Sequence, residues 1–335
     1  MIENVKDIDA VITWIDVNDP EYQNKRMQVI QDISISDNEV ITGRDETRFV
    51  DNGELEYCIH SIRKFAPWIR NIYLVTDKQC PSFITEEFKK KYQIQLVDHS
   101  VIFESFESVL PTFNSRTIES VLWRIPGLAS RFIYFNDDFV IVDSVKPEDF
   151  FIDDHVKLRG RWKRMRNYGT IRMRLNKIIS EAARRLFNIT RSMHLLLQIK
   201  SAKLAGFEKQ YFKIPHVPHP LKRDTIKHFF ENNPNILKQN IQHRFRSTDQ
   251  ISAIYVANHL EIKKHKVVYG NMNEYMMING ELDLSIILQS KLNSIINKKV
   301  KFVCLQGIER FNDELRERLD KVMRSHLDMD QNKTS

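Results

Sequence analysis

Three consecutive polar residues, Asn136, Asp137 and Asp138, end a short apolar run and are able to carry chemistry. The run, residues 132–135, is too short for a helix and rich in the aromatic and branched residues that favour a buried strand. We predict a central parallel strand that delivers its last residues to the carboxyl edge of the sheet, where open α/β sheets bind ligands. Two adjacent carboxylates there suggest a metal site, a phosphate clamp or a base, although the bare tripeptide is more typical of a turn.

A helix-period segment with a further carboxylate precedes this strand. Ile118, Leu122 and Ile125 fall on one helical face. Glu119 projects from a different face, where its carboxylate is available for polar interactions. The pattern predicts one helix that stops near the Pro-Gly pair after Ile125.

Two histidines lie in the segment IPHVPHP, where three prolines hold His216 and His219 in a stiff, extended chain. Proline fixes φ, and a stiff segment suits a catalytic base. From residue types alone, a structural role explains the pair equally well.

Two further polar clusters border predicted elements. A strand over residues 10–15 ends in a turn that either places Asp16 and Asn18 beside a nucleotide or is an ordinary Asx turn. Arg48, Asp51 and Asn52 precede an amphipathic helix. Asp51 or Asn52 can cap that helix, and Arg48 with the helix amides would meet a diphosphate.

Strand and helix patterns alternate over residues 8–141, which predicts a mostly parallel α/β sheet. Neither GxGxxG nor GxxxxGK[ST] occurs, which disfavours a dinucleotide oxidoreductase and a P-loop kinase. The three cysteines are far apart, and no apolar run reaches the length of a membrane span or signal peptide. We therefore expect a cytoplasmic protein.

The net charge of +7 is unevenly distributed. Residues 157–203 carry +13, from fourteen Lys or Arg and one Glu, so the remainder carries −6. This block, which includes a predicted amphipathic helix, fits a polyanionic acceptor or an anionic membrane surface, and it fits a simply solvated face as well. The aromatic residues interleaved with or next to its densest basic run, RGRWKRMR, are Trp162 and Tyr168, which is thin support for base stacking, so nucleic acid is not expected.

Six segments resemble conserved regions of a known family and occur along the chain in this order: IDAVITWIDVNDPEY, RFVDNGELEYCIHSIRKFAPWIRNIYLVTD, LPTFNSRTIES, FIYFNDDF, IPHVPH and FRSTDQ. They resemble the conserved regions of the Stealth family. Together they span most of the chain apart from residues 151–212. That family contains bacterial capsular and exopolysaccharide phosphotransferases and the catalytic subunit of the animal lysosomal-enzyme N-acetylglucosamine-1-phosphotransferase. Its members move a sugar-1-phosphate from a nucleotide diphosphosugar to a hydroxyl group.

The resemblance implies a glycosyltransferase-A-like α/β fold, a mostly parallel sheet with a basic helical insertion. We expect residues 1–150 to form the nucleotide-sugar half, residues 151–213 the basic, mainly helical insertion, and residues 214–335 the second half of the catalytic domain. The expected partners are a nucleotide-sugar donor, a saccharide or lipid-linked saccharide acceptor, and an anionic membrane contacted peripherally at its inner face through residues 157–203.

The resemblance also implies roles for single residues. His216 is the candidate base and Arg246 the phosphate clamp. Asp138 would hold a divalent cation such as Mg²⁺ or act as the base itself, and Glu119 would orient the acceptor or the ion. The residues expected to bind substrate are Asp16, Asn18, Arg48, Asn52 and Asn136.

The chain departs from the family pattern in two places. Gln306-Gly307 stands where relatives often have Asn-Asp, although Asn312-Asp313 follows a few residues later, and Val121 and Trp123 stand where relatives commonly have histidines. Two alternatives stay open: an ordinary glycosyltransferase that releases a nucleoside diphosphate, and a non-catalytic relative that binds a polyanion, which Gln306-Gly307 and the basic block suggest.

Overall fold

The computed structural model describes residues 7–32, 53–165 and 191–329. The strands in these ranges are β1 (Ile8–Thr13), β2 (Ile72–Thr76), β3 (Ile94–Asp98), β4 (Arg131–Asn136), β5 (Phe139–Ile141), β6 (Phe151–Ile152), β7 (His155–Leu158), β8 (Arg161–Arg164), β9 (Gln210–Lys213), β10 (His219–Lys222), β11 (Val267–Tyr269), β12 (Tyr275–Asn279) and β13 (Phe302–Gln306). The helices are α1 (Pro20–Asp32), α2 (Glu54–Phe65), α3 (Glu86–Tyr92), α4 (His99–Ile102), α5 (Ser115–Glu119), α6 (Arg191–Leu204), α7 (Arg223–Asn232), α8 (Pro234–Ile241), α9 (Ala253–Lys263), α10 (Ser285–Ile296) and α11 (Asp313–His326).

The main sheet has five strands in the order β10, β4, β1, β2 and β3. β4, β1, β2 and β3 are parallel to one another, and β10 runs antiparallel beside β4. The predicted mostly parallel α/β sheet is confirmed. β1 lies in the middle, so β4, which we predicted as central, is the interior strand next to it. The residues of β1 are nearly all buried, as expected for a parallel strand covered on both faces.

A second sheet joins the first at the end of β4. β5 follows β4 after a turn of two residues and pairs antiparallel with β13, which in turn runs parallel to β12. The backbone N–H of Leu305 donates to the Asp138 carbonyl at 2.9 Å. Asp138 therefore lies at the junction of the two sheets.

Helix α2 packs its predicted apolar face into the core beneath the main sheet. Its N-cap residue is Gly53, with a φ of 94°, and not Asp51 or Asn52 as predicted. This left-handed conformation suits glycine, which has no Cβ. Arg48 and Asn52 lie outside the described residues, so their binding roles stay predictions.

The single helix predicted over residues 118–125 is wrong. α5 ends at Glu119, and a separate 3₁₀ turn, Leu122–Arg124, follows. The Trp123 indole N–H donates to the Ser120 carbonyl at 3.0 Å and takes the acceptor that a continuing helix would use. The apolar positions are nevertheless buried, so the pattern was correct about burial but not about the path of the chain.

The predicted insertion, residues 151–213, is not simply helical in its described part. It holds α6 and also β6, β7, β8 and β9. β8 and β9 pair antiparallel, and Trp162 anchors the pair through ring contacts with Phe207 and Phe212, at centroid distances of 5.9 and 5.5 Å. The boundaries of the three predicted regions stay predictions. Among the described residues, no helix combines the length and apolar content needed to cross a membrane.

Candidate active site

The residues that end β4 lie at the carboxyl edge of the main sheet. Thr13, the last residue of β1, is in register with Asn136. The Tyr134 O–H donates to Asn136 Oδ1 at 2.8 Å and lies 3.0 Å from Thr13 Oγ1. The side chain of Asn136 is therefore held in a defined orientation at this edge.

The two carboxylate oxygens of Asp138 differ in their hydrogen bonding. The Cys304 thiol donates to Oδ2 at 3.4 Å, whereas Oδ1 is buried and accepts no hydrogen bond from the residues that the structure describes. Burial raises the pKa of Asp138 to about 6, and the thiol bond opposes the rise. Buried polar atoms in native proteins nearly always have partners. Oδ1 is therefore chemically suited to a cation or to the proton of a hydroxyl group.

Glu119, the last residue of α5, is held by the segment that precedes α9. The Ser252 hydroxyl donates to Glu119 Oε2 at 3.1 Å. Burial raises the pKa of Glu119 to about 7, although the Ser252 bond and the positive charges of Arg116 and Arg246 oppose the rise. Near neutral pH this carboxyl group exists in both protonation states, which suits a group that moves or holds a proton.

Two guanidinium groups lie beside this carboxylate. Arg246 donates to Ser115 Oγ at 3.1 Å, and the buried Arg116 donates to the Ser247 carbonyl at 2.9 Å. Burial lowers the pKa of Arg116 to about 10, and the charge of Arg246 lowers it further. Two cations in such proximity favour an anionic ligand. Our sequence interpretation missed Arg116, although it lies inside the quoted segment LPTFNSRTIES.

Residues far apart in sequence meet here because of one amide network. The Asn114 amide donates to the Phe245 carbonyl at 2.8 Å and to Gln250 Oε1 at 2.9 Å. The Thr117 hydroxyl donates to the His243 carbonyl at 2.8 Å. These buried bonds fasten α5 to residues 243–250, so that Arg246 lies next to the helix that carries Glu119.

His216 lies on the connection between β9 and β10. Burial lowers its pKa to about 4, and the positive charges of Arg246 and Lys213 contribute. Its ring lies 6.3 Å from that of Phe139, the residue that follows Asp138. His216 is therefore neutral over most of the pH range, in contact with Phe139 and within electrostatic reach of Arg246. Its catalytic role stays a prediction, as do those of Glu119, Asp138 and Arg246.

His219 has a different position from His216. It begins β10, is 4% exposed, and its ring stacks on Tyr134 at a centroid distance of 6.4 Å. It also makes edge contacts with Phe139 and Tyr255. These contacts indicate a packing role that supports the segment of His216.

Asp16 and Asn18 form the Asx turn that we had considered as the alternative. Asp16 Oδ1 accepts the backbone N–H of Asn18 at 2.8 Å, and the Gln79 amide donates to the Asp16 carbonyl at 2.8 Å. The turn follows β1 at the same carboxyl edge, and Asn18 is exposed there. A role in binding substrate stays a prediction for both residues and for Asn136.

The divergent pair Gln306-Gly307 lies beside Asp138, because Leu305 bonds to the Asp138 carbonyl. Gln306 Oε1 accepts a hydrogen bond from the Asn279 amide at 3.2 Å. Asn312, which we considered as a substitute for the family residue, caps α11 by accepting the Leu315 N–H at 3.0 Å. That structural role accounts for Asn312.

The described residues contain no group of three or more His, Cys, Asp or Glu side chains placed to hold a metal ion. Mg²⁺ is commonly bound by one or two carboxylates together with substrate phosphates. The buried Oδ1 of Asp138 fits that smaller donor set. The chemistry of the site is therefore compatible with an ion shared between Asp138 and a phosphorylated substrate.

Comparisons with known proteins show which families and proteins the chain is similar to. Residues 48–158 match the family model described as Stealth protein CR2, conserved region 2. The receptor polysaccharide phosphotransferase WefC of Streptococcus oralis is 30% identical over 284 residues, which cover 79% of this chain and 80% of WefC. The capsular polysaccharide phosphotransferase WcwK of Streptococcus pneumoniae is 27% identical over 343 residues, which cover 96% and 95%.

The capsular polysaccharide phosphotransferase of Actinobacillus suis is 39% identical over 186 residues, which cover 54% of this chain and 48% of that protein. The chain therefore spans about half the length of this relative. Among solved structures, the galactosyltransferase LgtC in complex with donor and acceptor sugar analogs is 10% identical with a TM-score of 0.44, and the match covers 95% of each chain.

Fold and site define an α/β protein with a site of mixed charge at the carboxyl edge of a mostly parallel sheet. The match to WefC, at 30% identity over 79% of this chain and 80% of WefC, is extensive enough to show the protein family. The chain belongs to the Stealth family.

Proposed function

We propose that the protein transfers a hexose-1-phosphate or N-acetylhexosamine-1-phosphate from a nucleotide diphosphosugar, such as a UDP-sugar, to a sugar hydroxyl group. The product is a phosphodiester link in a capsular or exopolysaccharide. The observation that carries the proposal is the buried Oδ1 of Asp138 at the carboxyl edge, which has no hydrogen-bond partner within the described ranges. The relatives named as capsular and receptor polysaccharide phosphotransferases support the same reaction.

In this mechanism the acceptor hydroxyl attacks the sugar-bearing β-phosphorus in line, and the nucleoside monophosphate leaves with the electrons of the broken P–O bond. His216 accepts the proton of the hydroxyl, with Asp138 as the alternative base. Phosphoryl transfer depends mainly on positioning and on stabilising charge that spreads over the phosphate oxygens. Arg246, with Arg116 beside it, supplies that stabilisation, and Glu119 orients the acceptor.

Binding of the donor tunes the proposed base. In the protein alone, burial and the charge of Arg246 keep the pKa of His216 near 4. A phosphate anion bound to Arg246 offsets that positive charge, so the pKa of His216 rises toward the range in which a general base is most effective. Mg²⁺ held by Asp138 and the donor phosphates would neutralise further phosphate charge.

The basic ribbon, which we define as β8 and β9, offers a path for an anionic acceptor. Arg161, Lys163 and Arg164 are exposed on β8, and Lys213 at the end of β9 is in register with Arg161. Lys213 also acts electrostatically on His216. We infer that a saccharide or lipid-linked saccharide acceptor reaches His216 along this ribbon. A cytoplasmic location, with peripheral contact at the inner face of the membrane, is part of the proposal.

The test is to incubate the purified protein with a panel of nucleotide sugars and saccharide acceptors, and to identify the released nucleotide by mass. UMP or another nucleoside monophosphate is expected. A nucleoside diphosphate as the sole product would make the protein an ordinary glycosyltransferase. No nucleotide release with any donor would leave a non-catalytic relative that binds a polyanion. The Asp138→Asn variant is the matched control for contaminating hydrolases.

A further inference from the structure

Helix α10 and the loop before it expose an unusual number of large apolar side chains. Leu284 is 73% exposed and Ile286 is 85% exposed, with Leu282 and Ile287 at 54% and 42%. Ile296, at the other end of the helix, is 53% exposed. We call these five residues the α10 surface. Single exposed apolar residues are ordinary, but a contiguous set on one element marks an interaction site.

The uncharged character of α10 extends beyond these residues. Its sequence, SIILQSKLNSII, contains one charged residue, Lys291, in a chain of which 28% is charged. Lys291 is held by both oxygens of Asp283, at 2.7 and 2.6 Å, and Asp283 also accepts the Asn279 N–H at 2.8 Å. These bonds fix the loop that presents Leu282 and Leu284. The exposed apolar side chains of this loop therefore have a fixed position.

A basic cleft continues this surface at the far end of the helix. The cleft, of about 480 Å³, has Phe65, Ile296 and Val322 among its apolar lining and Lys298 and Lys321 among its polar lining, whereas Lys64 beside them is ion-paired with Asp328. The flank of α10 that carries Ile296 also carries Gln289, which Arg318 of α11 contacts at 3.5 Å. Ile296 belongs both to the α10 surface and to the lining of the cleft, so the cleft borders this surface at the carboxyl end of α10.

We propose that the α10 surface and its cleft dock the protein on an anionic lipid bilayer. Exposed Leu and Ile side chains enter the interface, and lysines at the border of apolar surface bind anionic headgroups. A second copy of the chain is the competing occupant. A two-fold interface through this surface would bring two lysine-rich clefts together, which like charge opposes. The lipid surface matches both the apolar and the cationic parts.

Docking through the α10 surface would bring the candidate active site close to the membrane. The loop at residues 280–284 follows β12, whose last residue, Asn279, is in register with Gln306, and Gln306 is the neighbour of the residue bonded to Asp138. The apolar end of α10 thus lies at the same sheet edge as the candidate active site. A docked protein would hold that edge close to the membrane. Docking itself does not depend on the proposed reaction.

The experiment measures binding of the full chain to vesicles by flotation, using phosphatidylcholine vesicles with and without phosphatidylglycerol. Leu284→Ser with Ile286→Ser should weaken binding to the anionic vesicles roughly tenfold or more, since about two buried aliphatic side chains are lost from the interface. Lys298→Glu with Lys321→Glu should weaken it by a similar factor at low salt and much less at high salt.

Two controls match these variants. Val101→Ser removes an exposed apolar side chain elsewhere, and Lys90→Glu with Lys91→Glu reverses the same number of exposed charges on α3. Both should bind nearly as the parent does. The proposal is overturned if the parent chain does not float with anionic vesicles, or if Lys163→Glu with Arg164→Glu on the basic ribbon loses binding while the α10 variants keep it. It is also overturned if Ile286→Ser only converts a dimer to a monomer, as measured by light scattering, and leaves vesicle binding unchanged.

Discussion

The thiol of Cys304 on β13 donates a hydrogen bond to Oδ2 of Asp138 at 3.4 Å, across the junction of the two sheets. This contact fixes one oxygen of the carboxylate and directs the other, Oδ1, into a buried position where it accepts no bond from the described residues. The pair explains how a turn of two residues after β4 can present a carboxylate in one orientation.

Asp138→Asn should lower turnover by roughly two to four orders of magnitude, because it removes the charge and the basicity of the carboxylate while keeping its size. Steady-state rates of nucleotide release measure the effect. Asp143→Asn, at the far end of β5, is the matched control and should turn over normally. If the purified Asp138→Asn variant keeps near-normal activity, Asp138 does not belong to the site.

His216 and His219 should behave differently when each is replaced by Ala. His216→Ala should lose roughly two to four orders of magnitude in turnover with little change in melting temperature. His219→Ala should lose about 2 kcal/mol or more of stability, because a buried ring packed on Tyr134 is removed. Turnover and thermal unfolding are measured on the same preparations. Equal melting temperatures for both variants would contradict the packing role of His219.

Glu119 should make the protein less stable as the pH rises. The pKa of its carboxyl group is about 7 in the folded protein, against an ordinary value of 4.5. Between these values the folded state holds a proton that the unfolded state has released, so the free energy of unfolding falls as the pH rises through this window. The fall amounts to about 3 kcal/mol and is complete above pH 7.

Glu119→Gln should remove this fall, as measured by urea unfolding at pH 5 and pH 8. The exposed Glu87→Gln serves as the control and should keep the pH dependence of the parent. His216 contributes with the opposite sign, since its pKa of about 4 lies below its ordinary 6.5 and its share of stability grows as the pH rises between them. The Glu119 interpretation is wrong if the Gln variant and the parent lose the same stability between the two pH values.

Reversing Arg161, Lys163 and Arg164 to Glu should weaken binding of an anionic acceptor strongly at low salt and little at high salt. Exposed charges lose most of their reach beyond a Debye length of about 8 Å near physiological ionic strength. Donor hydrolysis without acceptor should be spared, because the ribbon is separate from the main sheet. The same reversal at Lys89, Lys90 and Lys91 of α3 controls for net charge. Unchanged acceptor binding at low salt would leave the ribbon a solvated face.

The sequence by itself determined the family, the order of the early strands and helices, and the sheet edge at which polar residues collect. These are local properties: an apolar run of period two or 3.6 buries in nearly any context, and strand ends in a parallel sheet share one edge. The same local reasoning failed for the helix after Glu119, where the Trp123 indole N–H takes the Ser120 carbonyl. No periodicity predicts that single side-chain bond.

Only the tertiary structure decided which distant residues meet. Asn114 and Gln250 are 136 residues apart, yet their buried hydrogen bond brings Arg246 to the helix that carries Glu119 and makes Arg116 its neighbour. The pairing of β13 with β5 brings Cys304 to Asp138 in the same way. Burial, which raises the pKa values of Glu119 and Asp138 and lowers that of His216, depends on every element packed around each group. It is therefore a property of the folded chain and cannot be obtained from residue types or spacing.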